Sequence, residues 1–140
     1  KVIHRYDTSI KVQLSNPKKF YLADHGFIRP ISSRTTKDLG KILENIIFYQ
    51  LSWKGEVFYH ENGRECDLVL VERNEITSMV QVTWELNESN REREIEGLIG
   101  AMKKYGLDRG TIVTKDLEDE LETDGVKIKV IPAWKWCLYN

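Results

Sequence analysis

Apolar residues recur at helical spacing at Leu39, Ile42, Leu43, Ile46, Ile47 and Leu51, behind the cap-forming run Thr35-Thr36-Lys37-Asp38. The spacing predicts an amphipathic helix over roughly 37 to 53, ended by Trp53-Lys54-Gly55. The pattern then becomes strand-like. Glu56 to His60, Glu65 to Glu72 and Ile76 to Trp84 form a three-strand meander joined by Glu61-Asn62-Gly63-Arg64 and Arg73-Asn74-Glu75. Leu68-Val69-Leu70-Val71 is continuously apolar, so that strand is buried on both faces. Helical spacing returns at Ile95, Leu98, Ile99, Met102 and Tyr105, with Ser89 as cap, Lys103-Lys104 in the last turn and Gly106 as terminator. Arg109 to Thr114 and Val126 to Ile131 read as strands, separated by a short acidic helix and an Asp124-Gly125 turn. Pro132 opens a last helical turn with Trp134, Trp136 and Leu138.

Ahead of this core, Val2-Ile3 and Ile10 to Leu14 read as short strands and Asn16-Pro17 as a turn. Lys19 to Ala23 is a further strand, closed by Asp24-His25-Gly26. The expectation is one α/β domain: a mixed sheet around the meander, flanked by helices, with residues 1–35 as an N-terminal extension and 36–140 as the core.

Composition narrows the function classes. At 140 residues, 41% hydrophobic, the chain can bury a core without disulfides. It has no apolar run of about 18 residues to span a membrane, and no signal-peptide pattern. A net charge of −1 excludes a whole-domain basic field for nucleic acid, though a local groove can still be basic. Cys66 and Cys137 lack zinc spacing and read as core thiols of a reduced, cytoplasmic protein. His4, His25 and His60 suggest no zinc site, and Trp134 and Trp136 read as core aromatics rather than base-stacking platforms. The chain starts at Lys1 rather than Met, so a longer parent protein is expected.

Asp67 is the anomaly, because an unpaired carboxylate beside Leu68 to Val71 costs several kcal/mol or takes up a proton. Gln81 and Thr83, two residues apart, share one face of the next strand. They share it with Asp67 only if paired residue numbers sum to an even value. A three-residue connection at Arg73-Asn74-Glu75 pairs Glu72 with Ile76 and sets Asp67 opposite Gln81, whereas a two-residue turn sets it opposite Val80. Glu44 falls at the edge of its helix's apolar stripe and can reach the sheet. Asp67, Glu44 and Gln81 together offer two carboxylates and an amide oxygen to a divalent cation such as Mg²⁺.

The runs "GKILENIIFYQL", "EVFYHENGRECDLVLV" and "MVQVTW" resemble the PD-(D/E)XK nuclease superfamily. More narrowly, "NPKKFYLADHGF" before them and "VIPAWKWCL" after them resemble the nuclease-like C-terminal domain of archaeal and bacterial AAA+ ATPases, over nearly the whole chain. The resemblance implies a restriction-endonuclease-like fold, Mg²⁺ or Mn²⁺ as cofactor, DNA and the protein's own ATPase domain as partners, and Glu44 and Asp67 as metal ligands. Gln81 stands where that family has its second acid, and Thr83 where it has lysine. Gln weakens the metal site, and Thr cannot supply an ammonium to the developing charge. Lys54, Lys103 and Lys104 are candidate replacements for that lysine, and Glu65 and Glu85 candidate migrated ligands. No Walker phosphate loop is present, so an ATP site lies outside this chain. Two readings follow: a weakened metal-dependent DNA nuclease, or a non-catalytic interaction module of an ATPase.

Overall fold

A computed structural model describes residues 1–23 and 36–139, with elements β1 (Val2–Ile3), α1 (Ile10–Ser15), β2 (Lys19–Phe20), α2 (Thr36–Leu51), β3 (Glu56–Glu61), β4 (Glu65–Glu72), β5 (Glu75–Val82), α3 (Arg91–Tyr105), β6 (Arg109–Thr114), β7 (Asp119–Thr123), β8 (Val126–Pro132) and α4 (Ala133–Tyr139). The expected Asp24-His25-Gly26 turn and the Thr35 part of the cap lie outside the described residues.

Strands β3 to β8 form one mixed sheet in the order β3-β4-β5-β6-β8-β7. The meander β3-β4-β5 is antiparallel, β6 and β8 continue it in parallel, and β7 returns antiparallel at the edge. Helices cover both faces. The apolar side of α2 (Leu43, Ile47, Phe48, Leu51) packs with Leu68, Leu70, Val80 and Trp136. The stripe of α3 (Leu98, Ile99, Met102) packs with Val69, Met79, Ile112 and Val130. This is the expected α/β class, a mixed sheet around a three-strand meander flanked by helices, consistent with a restriction-endonuclease-like fold. Among the described residues no helix is long and apolar enough to cross a membrane.

Four local readings are corrected. Ile10 to Leu14 is helical, not a strand: Asp7 Oδ1 accepts the Ser9 N–H at 2.9 Å and turns the chain into α1, whose Ile10 and Leu14 stay exposed. The acidic segment after β6 is strand β7, not a helix. Asp124 and Gly125, both at positive φ, make a two-residue hairpin that lays it against β8. Ser89 does not cap α3; the N-cap is Asn90, and the Ser89 hydroxyl donates to Asn87 Oδ1 at 2.6 Å. Cys137 and Trp134 are exposed rather than core, because α4 buries only Trp136.

Candidate functional site

The site lies where β4 and β5 part. Their turn has two residues, not the expected three: Glu72 pairs with Glu75 around Arg73 and Asn74, both at positive φ. Uninterrupted, that turn would set Asp67 opposite Val80. It does not, because Val71 pairs with Ile76 while Leu70 pairs with Ser78, leaving Thr77 as an extra residue in β5. Beyond this bulge the register is Leu70↔Ser78, Val69↔Met79 and Leu68↔Val80, so Asp67 comes level with Gln81. The expected juxtaposition arises from an unexpected turn plus a compensating bulge.

A second irregularity aims Asp67. Phe58 pairs with Val69 and His60 with Cys66, so Asp67 and Leu68 together face the single residue Tyr59. Alternation is broken there. Cys66 packs with Val69 in the cluster under α3, while Leu68 packs under α2. A bulge at this point turns the Asp67 carboxylate toward α2 and the N-terminal segment.

Side chains take over where the backbone ladder stops. The Asp67 N–H donates to Gln81 Oε1 at 3.1 Å, and the Val82 N–H donates to Asp67 Oδ2 at 2.9 Å. Both satisfy backbone donors that the parting strands leave open in a buried place. The other end of the Gln81 amide, Nε2, donates to Glu94 Oε2 of α3 at 2.6 Å, and Arg93 Nη2 meets Glu94 Oε1 at 2.5 Å. Gln81 and Glu94 are both buried.

Lys19, from the N-terminal extension, brings the remaining acids together. Its Nζ lies 3.0 Å from Glu44 Oε1 and 3.1 Å from Asp67 Oδ1, and it also bonds to Glu65. Tyr21 donates its hydroxyl to the same Glu44 oxygen at 2.6 Å. Burial pulls the Lys19 ammonium down, but Asp67, Glu44, Tyr21 and Glu65 more than reverse it, and the net direction is up. Burial raises the Asp67 carboxyl to about 7. Glu44 and Glu65 push the same way, while Lys19 and the Val82 N–H oppose.

Of the expected site residues, Glu44 and Asp67 meet through Lys19, and Gln81 meets Asp67 through its backbone. Thr83 lines the same groove as Glu44, Asp67 and Gln81, and its hydroxyl donates to the Glu85 carbonyl at 3.0 Å and accepts from Asn90 Nδ2 at 3.2 Å. Glu65 joins the cluster as a candidate acid; Glu85 only lines the neighbouring groove. None of the three candidate lysines reaches the site. Lys54 is exposed past the end of α2, Lys103 pairs with Asp124 at 2.8 Å, and Lys104 lies over the Tyr105 ring. Lys19, Tyr21 and Glu94 are site residues that sequence reasoning misses; Lys19 and Tyr21 are two apart on an expected strand and therefore share a face, while Glu94 lies in a charged first turn of α3 that reads as solvated.

A groove of about 1020 Å³ opens beside this cluster. Glu44, Glu61, Glu65, Asp67, Glu85 and Glu94 line it against Lys41, Arg64 and Arg93, and two of those cations are already paired, Arg64 with Glu96 and Arg93 with Glu94. That field repels a phosphate backbone. Among the described residues no three His, Cys, Asp or Glu side chains converge so as to hold a metal ion.

The raised Asp67 carboxyl makes a pH prediction. Unfolded, it titrates near 3.8; folded, near 7. Between roughly pH 4 and 7 the folded chain keeps a proton that the unfolded chain has released, so this group's contribution to stability falls as pH rises. Asp67→Asn removes that dependence. The thermal midpoint of the variant relative to wild type is expected to climb steadily across the window, and a flat difference would refute it.

No family model matches the chain, and no solved structure matches it. It is 32% identical over 142 residues to an uncharacterized protein of Methanocaldococcus jannaschii, covering 93% of this chain and 31% of that protein. It is 25% identical over 132 residues to an uncharacterized protein of Haemophilus influenzae, covering 93% of this chain and 32% of that protein. The chain thus spans about a third of the length of the curated relatives it matches.

Proposed function

We propose that this chain is the PD-(D/E)XK nuclease-like domain of a larger AAA+ ATPase, and that it serves as a non-catalytic protein-docking module rather than a DNA-cleaving enzyme. One observation carries this reading: both ends of the Gln81 amide are committed, Oε1 to the Asp67 N–H and Nε2 to Glu94. The Gln81 amide is therefore locked into the fold, and a neutral amide oxygen that already accepts an N–H is at most a weak third ligand for Mg²⁺ or Mn²⁺. Glu44 and Asp67 remain, and an ammonium stands between them. The donor set present does not fit a resident divalent cation, and we derive no hydrolytic step through one.

The groove supports a protein partner over DNA, because among the described residues its lining holds six acids against Lys41, Arg64 and Arg93, an acidic balance even after Lys19 is counted. The relatives, three times as long, leave room for the ATPase portion that the sequence resemblance implies. Plasmid and single-stranded DNA incubated with the chain and millimolar Mn²⁺ are expected to show no cleavage above that of an Asp67→Ala control. Cleavage that disappears with Asp67→Ala overturns the reading, since a contaminating nuclease would survive the substitution.

A further inference from the structure

We infer that Lys19 is a built-in cation occupying the place of a divalent ion, so that the seating of the N-terminal segment on the core makes the acid cluster blind to metal. The inference rests on the reading above and adds a cause for it. The lost acid at Gln81 and lost lysine at Thr83 weaken a metal site; Lys19 closes what is left.

The ammonium is delivered by a fixed backbone. Asn45 of α2 grips Leu22 on both sides, accepting its N–H at 2.9 Å and donating to its carbonyl at 2.8 Å. Tyr59 of β3 donates its hydroxyl to the Pro17 carbonyl at 2.6 Å, and Tyr21 stacks on Phe48 with ring centroids 4.0 Å apart. These anchors bracket Lys19 on both sides in sequence. Its Nζ then meets Glu44, Glu65 and Asp67 and lies 5.7 Å from the centre of the Tyr59 ring.

Charge decides the consequence. Three acids share one ammonium, and without it their repulsion in a half-buried place is relieved by a proton or by another cation. Mn²⁺ accepts carboxylate oxygens and carries twice the charge in a smaller volume. Lys19 and the ion compete for the same oxygens. Removal of the lysine frees Glu44, Glu65 and Asp67 to turn toward one centre.

The test is calorimetric titration of Mn²⁺ into the full chain, wild type against Lys19→Met, with thermal melts in parallel. Lys19→Met is expected to bind Mn²⁺ at least about tenfold more tightly than wild type, with a midpoint raised by about 5 °C at saturating metal. Lys19→Arg keeps the charge and stays blind, and Asp67→Asn added to Lys19→Met abolishes the gain. If Lys19→Met is unfolded without metal, Mn²⁺ is expected to refold it. A gain below tenfold, or a Lys19→Met chain that Mn²⁺ neither refolds nor stabilises, overturns the inference. Neither outcome bears on DNA cleavage by wild type, so failure here is distinct from failure of the non-catalytic reading.

Discussion

Gly97→Ala is expected to lower the thermal midpoint by several degrees, while the same substitution at Gly100, three residues along the same helix, raises it. A Cβ on Gly97 would stand 2.4 Å from the Glu65 carbonyl oxygen, whereas one on Gly100 meets nothing within 4 Å. Both changes gain about 1 kcal/mol of helix propensity. At Gly97 that gain is outweighed, because the obstructing atom is backbone and α3 must lift off β4, at a cost of about 3 kcal/mol. The balance is a loss of about 2 kcal/mol, or roughly 7 °C for a chain of this size. Gly100→Ala is expected to gain about 3 °C. The lift also reaches the site, since Glu94 sits one turn earlier on the same helix and holds Gln81 at 2.6 Å. Melts of both variants followed by circular dichroism decide it: a Gly97→Ala midpoint at or above wild type would show that α3 does not rest on β4 as closely as described.

Regular elements are legible in the sequence because burial imposes a period. Leu39 to Leu51 and Ile95 to Tyr105 each carry one apolar stripe, and both are helices. Leu68 to Val71 is continuously apolar because helices cover both faces of β4. Two single-residue irregularities have no such signature. Thr77 and the Asp67-Leu68 pair each add one residue to a strand, and hydrophobic alternation does not mark an extra residue. Yet these two positions decide that Asp67 comes level with Gln81 and turns toward α2. Arg73-Asn74 lacks the Asn-Gly signal of a two-residue hairpin, so the pattern suggests too long a turn, and only the bulge at Thr77 restores the register expected from it. The acidic strand β7 is hidden differently. Leu117 and Leu121 are four apart and mimic a helix, but Asp124-Gly125 carries the hairpin signal and prevails. Lys19 is hidden by its type. A lysine in a polar N-terminal stretch reads as solvated, and only the carboxylates it meets, 25 and 48 residues away, give it a buried place.

Introducing the acid and lysine that the family resemblance implies, with Gln81→Glu and Thr83→Lys together, is expected to unsettle the fold and yield no nuclease. The Gln81 Nε2 that donates to Glu94 at 2.6 Å becomes a carboxylate oxygen facing a carboxylate oxygen, with both residues buried. One must take up a proton or the pair must part, and an uncompensated buried charge costs about 3–5 kcal/mol. A proton shared between them offsets part of that, so the loss is expected to be largest at high pH and to shrink on acidification. The ammonium that Thr83→Lys introduces gains no vacant role at Asp67, because Lys19 already sits there. Glu94→Gln added to Gln81→Glu exchanges the donor and acceptor and is expected to recover most of the loss, an interaction that a double-mutant cycle of urea melts measures directly. Additive single effects would mean that Gln81 and Glu94 do not share a hydrogen bond. Asp67-dependent cleavage of DNA by the restored motif at unchanged stability would mean that Gln81 is a lost ligand only, and not the clasp between β4, β5 and α3 that this geometry makes it.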